Sequence, residues 1–322
     1  MNSELSVAVW GLGRHAIRRV LPAIVQSQVI ELVGICTRNQ ELGKAKAAEL
    51  NCEYFASPDH MLSDDRVQAV LVTTPTGLHF QHGLRVLEAE KHLCCEKPMT
   101  HSYQTTCRLF ELAAEKNVSA MSGLMYKYHP QFLALKRIIE ERTLGELKSL
   151  SIKFGMPTLN VDTFRSDPEL GGGALLDMSC YPLSVAYQLL TEPPELRCAN
   201  VATQASSKAD TDGWAILEGQ GVVVDCEWGM GRAYQNSLQI WGAKGLIVCD
   251  RAFTKEDDYD SSLVFYDQRG SQSPVIQTGR ANSYRAMIET FAMRLNEPEF
   301  FVTERAETEW CAMMTDKILH AS

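Results

Sequence analysis

Long apolar runs are missing from this chain. The N-terminus offers only Leu5 to Leu12, preceded by Glu4 in place of a positive region, which is too short for a signal peptide or a membrane span. A cytoplasmic protein with no membrane partner is therefore expected. A basic surface is missing too: Lys plus Arg total 31 against 40 Asp plus Glu, a formal net charge of −9, with no basic stripe and no Arg-rich arm. That lacks the electrostatic footprint a nucleic-acid partner requires. Ten cysteines form no Cys-x-x-Cys pair, and Cys36, Cys94, Cys95 and Cys249 sit inside apolar, strand-like runs. They read as reduced core thiols, not a disulfide framework. The eight histidines stand at no ligand spacing from these cysteines, so no metal site is expected. Internal repeats, low-complexity tracts and linkers are absent as well.

What is present is an ordinary globular composition, 45% hydrophobic and 22% charged over 322 residues, enough for about two domains of roughly 150 residues. Ser6 to Trp10 is a short β-rich run, followed at once by Gly11-Leu12-Gly13-Arg14-His15-Ala16. A helical pattern comes next, with Ile17, Val20, Leu21, Ile24 and Val25 at three-to-four spacing. Strand, glycine turn and helix in that order give G-x-G-x-x-A a physical meaning. The first Gly makes the tight turn, the second lets a pyrophosphate approach the backbone, and Ala16 stands at the helix–strand contact. Free N–H groups at the helix start bind the phosphates. The competing reading is a glycine turn that binds nothing.

The second strand, Ile30 to Cys36, ends in Thr37-Arg38-Asn39, where an NAD-preferring site would place a carboxylate for the ribose 2′-hydroxyl. A hydroxyl followed by a planar guanidinium suits a 2′-phosphate, so NADP(H) is favoured over NAD(H). The alternative is that Arg38 is a solvated loop charge and both dinucleotides are accepted. The strand–helix alternation continues. Ser57-Pro58 opens a helix, and Ala69 to Thr73 is an almost wholly apolar strand running into the loop Thr73–His79. Then come a helix from about Phe80, the strand His92 to Cys95, and Glu96-Lys97-Pro98. This rhythm predicts a doubly wound parallel sheet of the Rossmann type over residues 1–124, with ligands at the carboxyl ends of its strands. Lys97 stands at such an end, in a peptide context that restricts it to extended geometry and favours a cis bond to Pro98. Arg14, His15, Thr74, Pro75, His79, Glu96 and Lys97 complete the expected cofactor contacts with Gly11, Gly13, Thr37 and Arg38. As chemistry-bearing groups His79 and His82 are read as helix-start and helix-face residues, not catalysts.

Past Met125 the rhythm changes. A helix near 131–142 and a strand from Leu147 to Phe154 precede β-rich runs near 196–204, 213–218, 221–228, 236–241 and 245–252, with weaker ones near 262–267 and 274–277. Strands separated by short turns predict a large, mostly antiparallel sheet in an α/β domain over 125–322, whose last helices pack back on the first domain. Trp214, Trp228 and Trp241 make one sheet face a candidate for a homo-oligomer contact, in a dimer or tetramer. Gly171-Gly172-Gly173 allow close backbone approach, and the helix after them carries Asp177 and Tyr181 at i and i+4, with Ser184 and Gln188 extending the polar stripe. Pro182 predicts a kink beside Tyr181. By spacing alone, the competing reading is that Asp177 and Tyr181 form one buried hydrogen bond that merely satisfies both groups.

GLGRHA, TPTGLH, EKP and GGGALLDMSCYP, in that order over essentially the whole chain, resemble the glucose–fructose oxidoreductase / inositol dehydrogenase / MocA (Gfo/Idh/MocA) family. The resemblance implies a nicotinamide cofactor and a sugar-like substrate, and it puts Lys97 on the family's catalytic lysine and Asp177 on its motif aspartate. Many members carry His where this chain has Tyr181-Pro182; that variant, with Phe164-Arg165 ahead of the glycines, resembles NADPH-dependent sugar-nucleotide 3-ketoreductases. Lys127 stands where Arg commonly precedes the aromatic residue. The expectation is then a hydride transfer in which Tyr181 is the acid/base, Lys97 polarises the substrate oxygen and tunes Tyr181, and Asp177 orients a hydroxyl or Lys97. Arg165 and Lys127 contact substrate hydroxyls or phosphate. A dihydrodiol or aldose dehydrogenase of the same family and a non-catalytic NADP-binding regulator are the competing readings.

Overall fold

β-Branched and other apolar residues fill the short strands of the first half, and Asn, Ser and Pro residues start its helices. The computed structural model describes residues 4–157, 163–205 and 207–321. The chain divides into two units, Met1–Leu124 with Tyr284–Glu309, and Met125–Ser283 with Trp310–Ser322. The second unit is thus not one continuous segment.

In the first unit β1 (Leu5–Trp10), β2 (Ile30–Cys36), β3 (Glu53–Phe55), β4 (Ala69–Val72), β5 (His92–Cys95) and β6 (Ala120–Ser122) form one sheet in the order β3-β2-β1-β4-β5-β6. All its pairs are parallel. The strand order reverses between β1 and β4, which opens a crevice at their carboxyl ends. Helices cover the sheet, so β4 is buried at every residue. Asn39, Ser57 and Ser102 each accept a backbone N–H of the first turn they precede, which satisfies donors the helix cannot.

One helix starts earlier than the sequence suggests. Thr76–Glu88 is a single helix with Pro75 as its N-cap, so the loop after β4 is short and His79 lies on the helix. Pro75 sits at φ −57 and ψ 145, a geometry suited to the residue just outside a helix.

The second unit is built on β7 (Leu147–Met156), β8 (Glu195–Ala202), β9 (Asp212–Gly219), β10 (Val222–Met230), β11 (Gln235–Gly242), β12 (Gly245–Asp250), β13 (Ser261–Asp267) and β14 (Ile276–Gly279), in the order β14-β13-β12-β11-β7-β10-β9-β8. Among the described residues only β7 and β10 pair in parallel; the other six pairs are antiparallel. Gln220 and Gly221 (φ 57 and 74) make a two-residue hairpin between β9 and β10, the left-handed pair that matches strand twist. Leu150, Ile152 and Phe154 of β7 are buried, while Ser149, Ser151 and Lys153 alternate on the other face. That other face carries Trp214, Val223 and Trp241, all exposed, whereas Trp228, expected beside the other two tryptophans, pairs with Phe154 and is buried on the opposite face. Among the described residues no helix is long and apolar enough to cross a membrane.

Candidate active-site residues

The glycine turn follows β1. Gly11 has φ +112, and a Cβ there would lie 2.9 Å from Thr74 Cγ2, so the turn closes tightly on the loop after β4. Its N–H donates to Cys36 O at 2.8 Å, and Thr73 Oγ1 donates to its carbonyl at 2.8 Å. Gly13 differs: a Cβ there would meet nothing within 4 Å, so the backbone at the helix start faces open space. An anion can approach it there, and the residues present fit a dinucleotide pyrophosphate. Arg14 is exposed beside it. Arg38 is exposed at the end of β2, and its guanidinium makes no hydrogen bond or ion pair among the described residues. Thr37 Oγ1 lies 3.4 Å from the Asn39 N–H that donates to it.

His79 is buried, contrary to the expectation of a cofactor contact. Its Nδ1 is 2.9 Å from Pro98 O and its Nε2 is 2.8 Å from Thr74 O. Both ring nitrogens therefore face protein carbonyls, and the residue braces the loops after β4 and β5. Burial pushes its pKa down, while the two carbonyls favour the doubly protonated ring.

His15 and Glu96 find each other, a pairing the sequence did not signal. His15 Nε2 is 3.0 Å from Glu96 Oε1, and the other Glu96 oxygen accepts the Lys97 N–H at 3.2 Å. Burial pushes the Glu96 carboxyl up, but the charge and hydrogen bond of His15 and the nearby Lys97 ammonium outweigh it and hold it below the usual range. Lys97 is half-buried, and its bond to Pro98 is cis.

In the second unit the glycine run serves the protein's own backbone. A Cβ on Gly172 would strike the carbonyls of Phe164 and Arg165, and one on Gly173 (φ +116) would strike the Asp210 carboxylate. Asp210 accepts the Leu175 N–H at 2.6 Å, while the Ala174 N–H donates to the Asp210 carbonyl at 2.9 Å. This aspartate, 35 residues away along the chain, caps the helix from outside, and no local pattern announces it. Burial pushes its carboxyl up, with the helix N–H groups pulling the other way.

The helix carrying Asp177 is short, Ala174–Met178, and a second begins at Cys180 and runs to Leu189. The break at Ser179 is where Pro182 removes a donor, and Ser179 Oγ donates to Leu175 O at 2.6 Å. Asp177 and Tyr181 therefore lie on successive helical pieces. Arg165 Nε donates to Asp177 Oδ2 at 2.7 Å, and the same guanidinium lies 4.8 Å from the Phe164 ring centre. Tyr181 is buried, with ring centroids 5.0 Å from Phe154 and 5.2 Å from Phe253, and its hydroxyl donates to Met125 Sδ at 3.9 Å. Ser184 Oγ pairs with Tyr126 at 2.7 Å, and Gln188 Oε1 accepts from Lys136 Nζ at 2.9 Å. Lys127 is buried, its ammonium 5.8 Å from the centre of the Tyr128 ring.

Two family models match the chain: an oxidoreductase family with an NAD-binding Rossmann fold over residues 5–124, and the GFO/IDH/MocA C-terminal domain over 132–248. The chain belongs to the Gfo/Idh/MocA oxidoreductase family. A dTDP-3,4-didehydro-2,6-dideoxy-α-D-glucose 3-reductase of Saccharopolyspora spinosa is 31% identical over 82% of this chain and 80% of that enzyme. An NADP(+)-dependent D-xylose 1-dehydrogenase of Haloferax volcanii is 25% identical over 93% of this chain and 92% of its own length. Among solved structures, a 3-ketoreductase from Actinomadura kijaniata in complex with NADP and TDP-benzene superposes with a TM-score of 0.93 at 26% identity, covering 99% of this chain and 98% of that one. Other structures of that enzyme carry a replaced lysine or a replaced tyrosine.

Proposed function

We propose that this family member reduces the ketone of a nucleotide-linked sugar with NADPH, and that Lys97 and Tyr181 handle the carbonyl oxygen. The chain is an NADP(H)-dependent oxidoreductase of sugars; the nucleotide-linked ketone as substrate is the finer reading. It is carried by the 31% identity to a dTDP-ketosugar 3-reductase over four-fifths of both chains, together with Tyr181 at the position where many members carry histidine.

The bound nicotinamide supplies the hydride. The protein's own residues do the rest. Gly11, Gly13 and the helix start hold the pyrophosphate, and Thr37 with Arg38 hold the 2′-phosphate. The Lys97 ammonium stabilises negative charge developing on the carbonyl oxygen, and the Tyr181 hydroxyl gives that oxygen its proton. Asp177, fixed by Arg165, orients a substrate hydroxyl. Glu96 sets the Lys97 backbone through its own hydrogen bond. The exposed face of the eight-stranded sheet, with Trp214, Val223 and Trp241, is where a second copy of the chain associates.

The test is NADPH oxidation by the full chain over a panel of dTDP-ketosugars and free ketoses, with NADP+ reduction over free aldoses and arene diols. Fastest turnover on the dTDP-ketosugars is the expected result. Faster oxidation of a free aldose would transfer the assignment to an aldose dehydrogenase, and NADPH binding with no turnover anywhere would return the regulator reading.

A further inference from the structure

Trp10 closes β1, and its partner across the parallel pair is Cys36, the last residue of β2, with Thr37 and Arg38 immediately after it. The buried Trp10 indole lies flat on His82, centroids 4.0 Å apart and planes 17° from parallel. His82 Nδ1 is 3.0 Å from Thr74 Oγ1, so this stack ties the end of β1 to the loop after β4. Three residues further along the same helix, the Arg85 guanidinium lies 5.4 Å from the centre of the Trp10 ring and pairs with Asp59, in the first turn of the helix after β3.

We propose that Arg85 is a second cation of the adenosine 2′-phosphate site, alongside Arg38, and that Asp59 holds it until the phosphate takes the carboxylate's place. The inference rests on NADP(H) being the dinucleotide and adds a residue to its recognition.

Three observations support it. A phosphate monoester is largely a dianion at neutral pH, and one guanidinium at the end of β2 leaves it half neutralised. Among the described residues Arg38 has no partner, and Arg85 is the neighbouring guanidinium held over the end of the adjacent strand. The fields of both converge on one ring: burial pushes the His82 pKa down to about 4, and the charges of His79, Arg85 and Arg38 act in the same direction.

The Asp59 contact is also easily exchanged. Its side chain is 89% exposed and that of Arg85 39%, and an ion pair so open to water contributes little. A phosphate offers the guanidinium a bidentate acceptor of higher charge. The Trp10 face meanwhile keeps the guanidinium ordered through a cation–π contact, so little freedom is lost when the partner changes.

The experiment titrates NADPH and NADH against the full chain by fluorescence, with Arg85→Ala, Arg85→Lys and Arg38→Ala. Arg85→Ala is expected to weaken NADPH roughly tenfold while NADH, which lacks the phosphate, moves by less than about twofold. Arg85→Lys should recover part of the loss, because charge returns without the fork. The unchanged NADH affinity shows that the variant is folded. If Arg85→Ala leaves NADPH unaffected, or weakens both nucleotides equally, Arg85 has no such role. In that event a selective NADPH loss in Arg38→Ala would still uphold the NADP(H) site. No selective loss in either variant would remove the 2′-phosphate assignment from this part of the chain altogether.

Discussion

In β4 of the parallel sheet, four consecutive residues from Ala69 to Val72 are buried, whereas in β10 of the antiparallel sheet Val222, Val224 and Cys226 are buried and Val223, Asp225 and Glu227 between them are not. The first pattern arises because helices cover both faces, and the second because helices cover one. The difference explains where each unit keeps its chemistry. A strand buried on both faces has no side to offer a ligand, so polar function is confined to its carboxyl end, where Gly11, Arg38, Thr74 and Glu96-Lys97 all stand. In the antiparallel unit Asp177 and Tyr181 come from helical pieces beside the sheet, and the sheet's other face stays exposed.

The largest expected effect tests whether each unit contributes a reacting group. Lys97→Ala in the first and Tyr181→Phe in the second should each lower turnover by roughly 100-fold or more, with NADPH affinity retained in a fluorescence titration. Near-normal turnover in either variant would leave that unit with a binding role only.

Next in size is the cost of a cavity. Leu71→Ala in β4 and Leu150→Ala in β7 both empty a fully packed position and should each cost about 2–5 kcal/mol by urea denaturation. A much smaller loss in β7 would mean that the helical side of the antiparallel sheet is loosely packed.

Both units also hold a neutral histidine, half-buried in the first and buried in the second. Burial pushes His82 in the first and His129 in the second from 6.5 to about 4. As pH falls through 6.5 the unfolded chain takes up these protons before the folded one, so stability should decline between pH 6.5 and 4 and then level off for these groups. Lys255, pushed by burial from 10.5 down to about 8, acts at the other end: stability should rise between pH 8 and 10.5, and Lys255→Met should abolish that rise. Melting temperature against pH checks both, and a flat profile across the acid window would contradict the buried neutral rings.

The smallest effect is expected on the free face. Val223→Thr should shift stability by no more than about 0.5 kcal/mol. Trp241→Asp should convert an oligomer into monomers in sedimentation; a monomer before substitution would mean that this face has another occupant.

The sequence pattern alone located nearly every strand of both sheets, because period-two alternation and unbroken apolar runs are written into neighbouring residues. It placed one helix start too late, at Phe80 instead of Thr76, and so put His79 at the helix start, where the structure sets it a turn inside with its ring on the carbonyls of Thr74 and Pro98. The glycines illustrate the same limit from another side. Their need for close approach was readable, yet the approaching groups are Asp210 and the carbonyls of Phe164 and Arg165, which local spacing does not name.

What the chain determines by itself is therefore the set of local choices: strand and helix periods, a tight glycine turn after β1, a guanidinium in place of a carboxylate at the end of β2, and a lysine at the end of β5. These depend on backbone sterics and on residues a few positions apart. Tertiary structure alone decided that His15 meets Glu96, that Arg165 engages Asp177, and that Arg85 rests on Trp10. Charge pairing is short-ranged and indifferent to sequence separation, so it follows from where the fold brings the ends of its elements together.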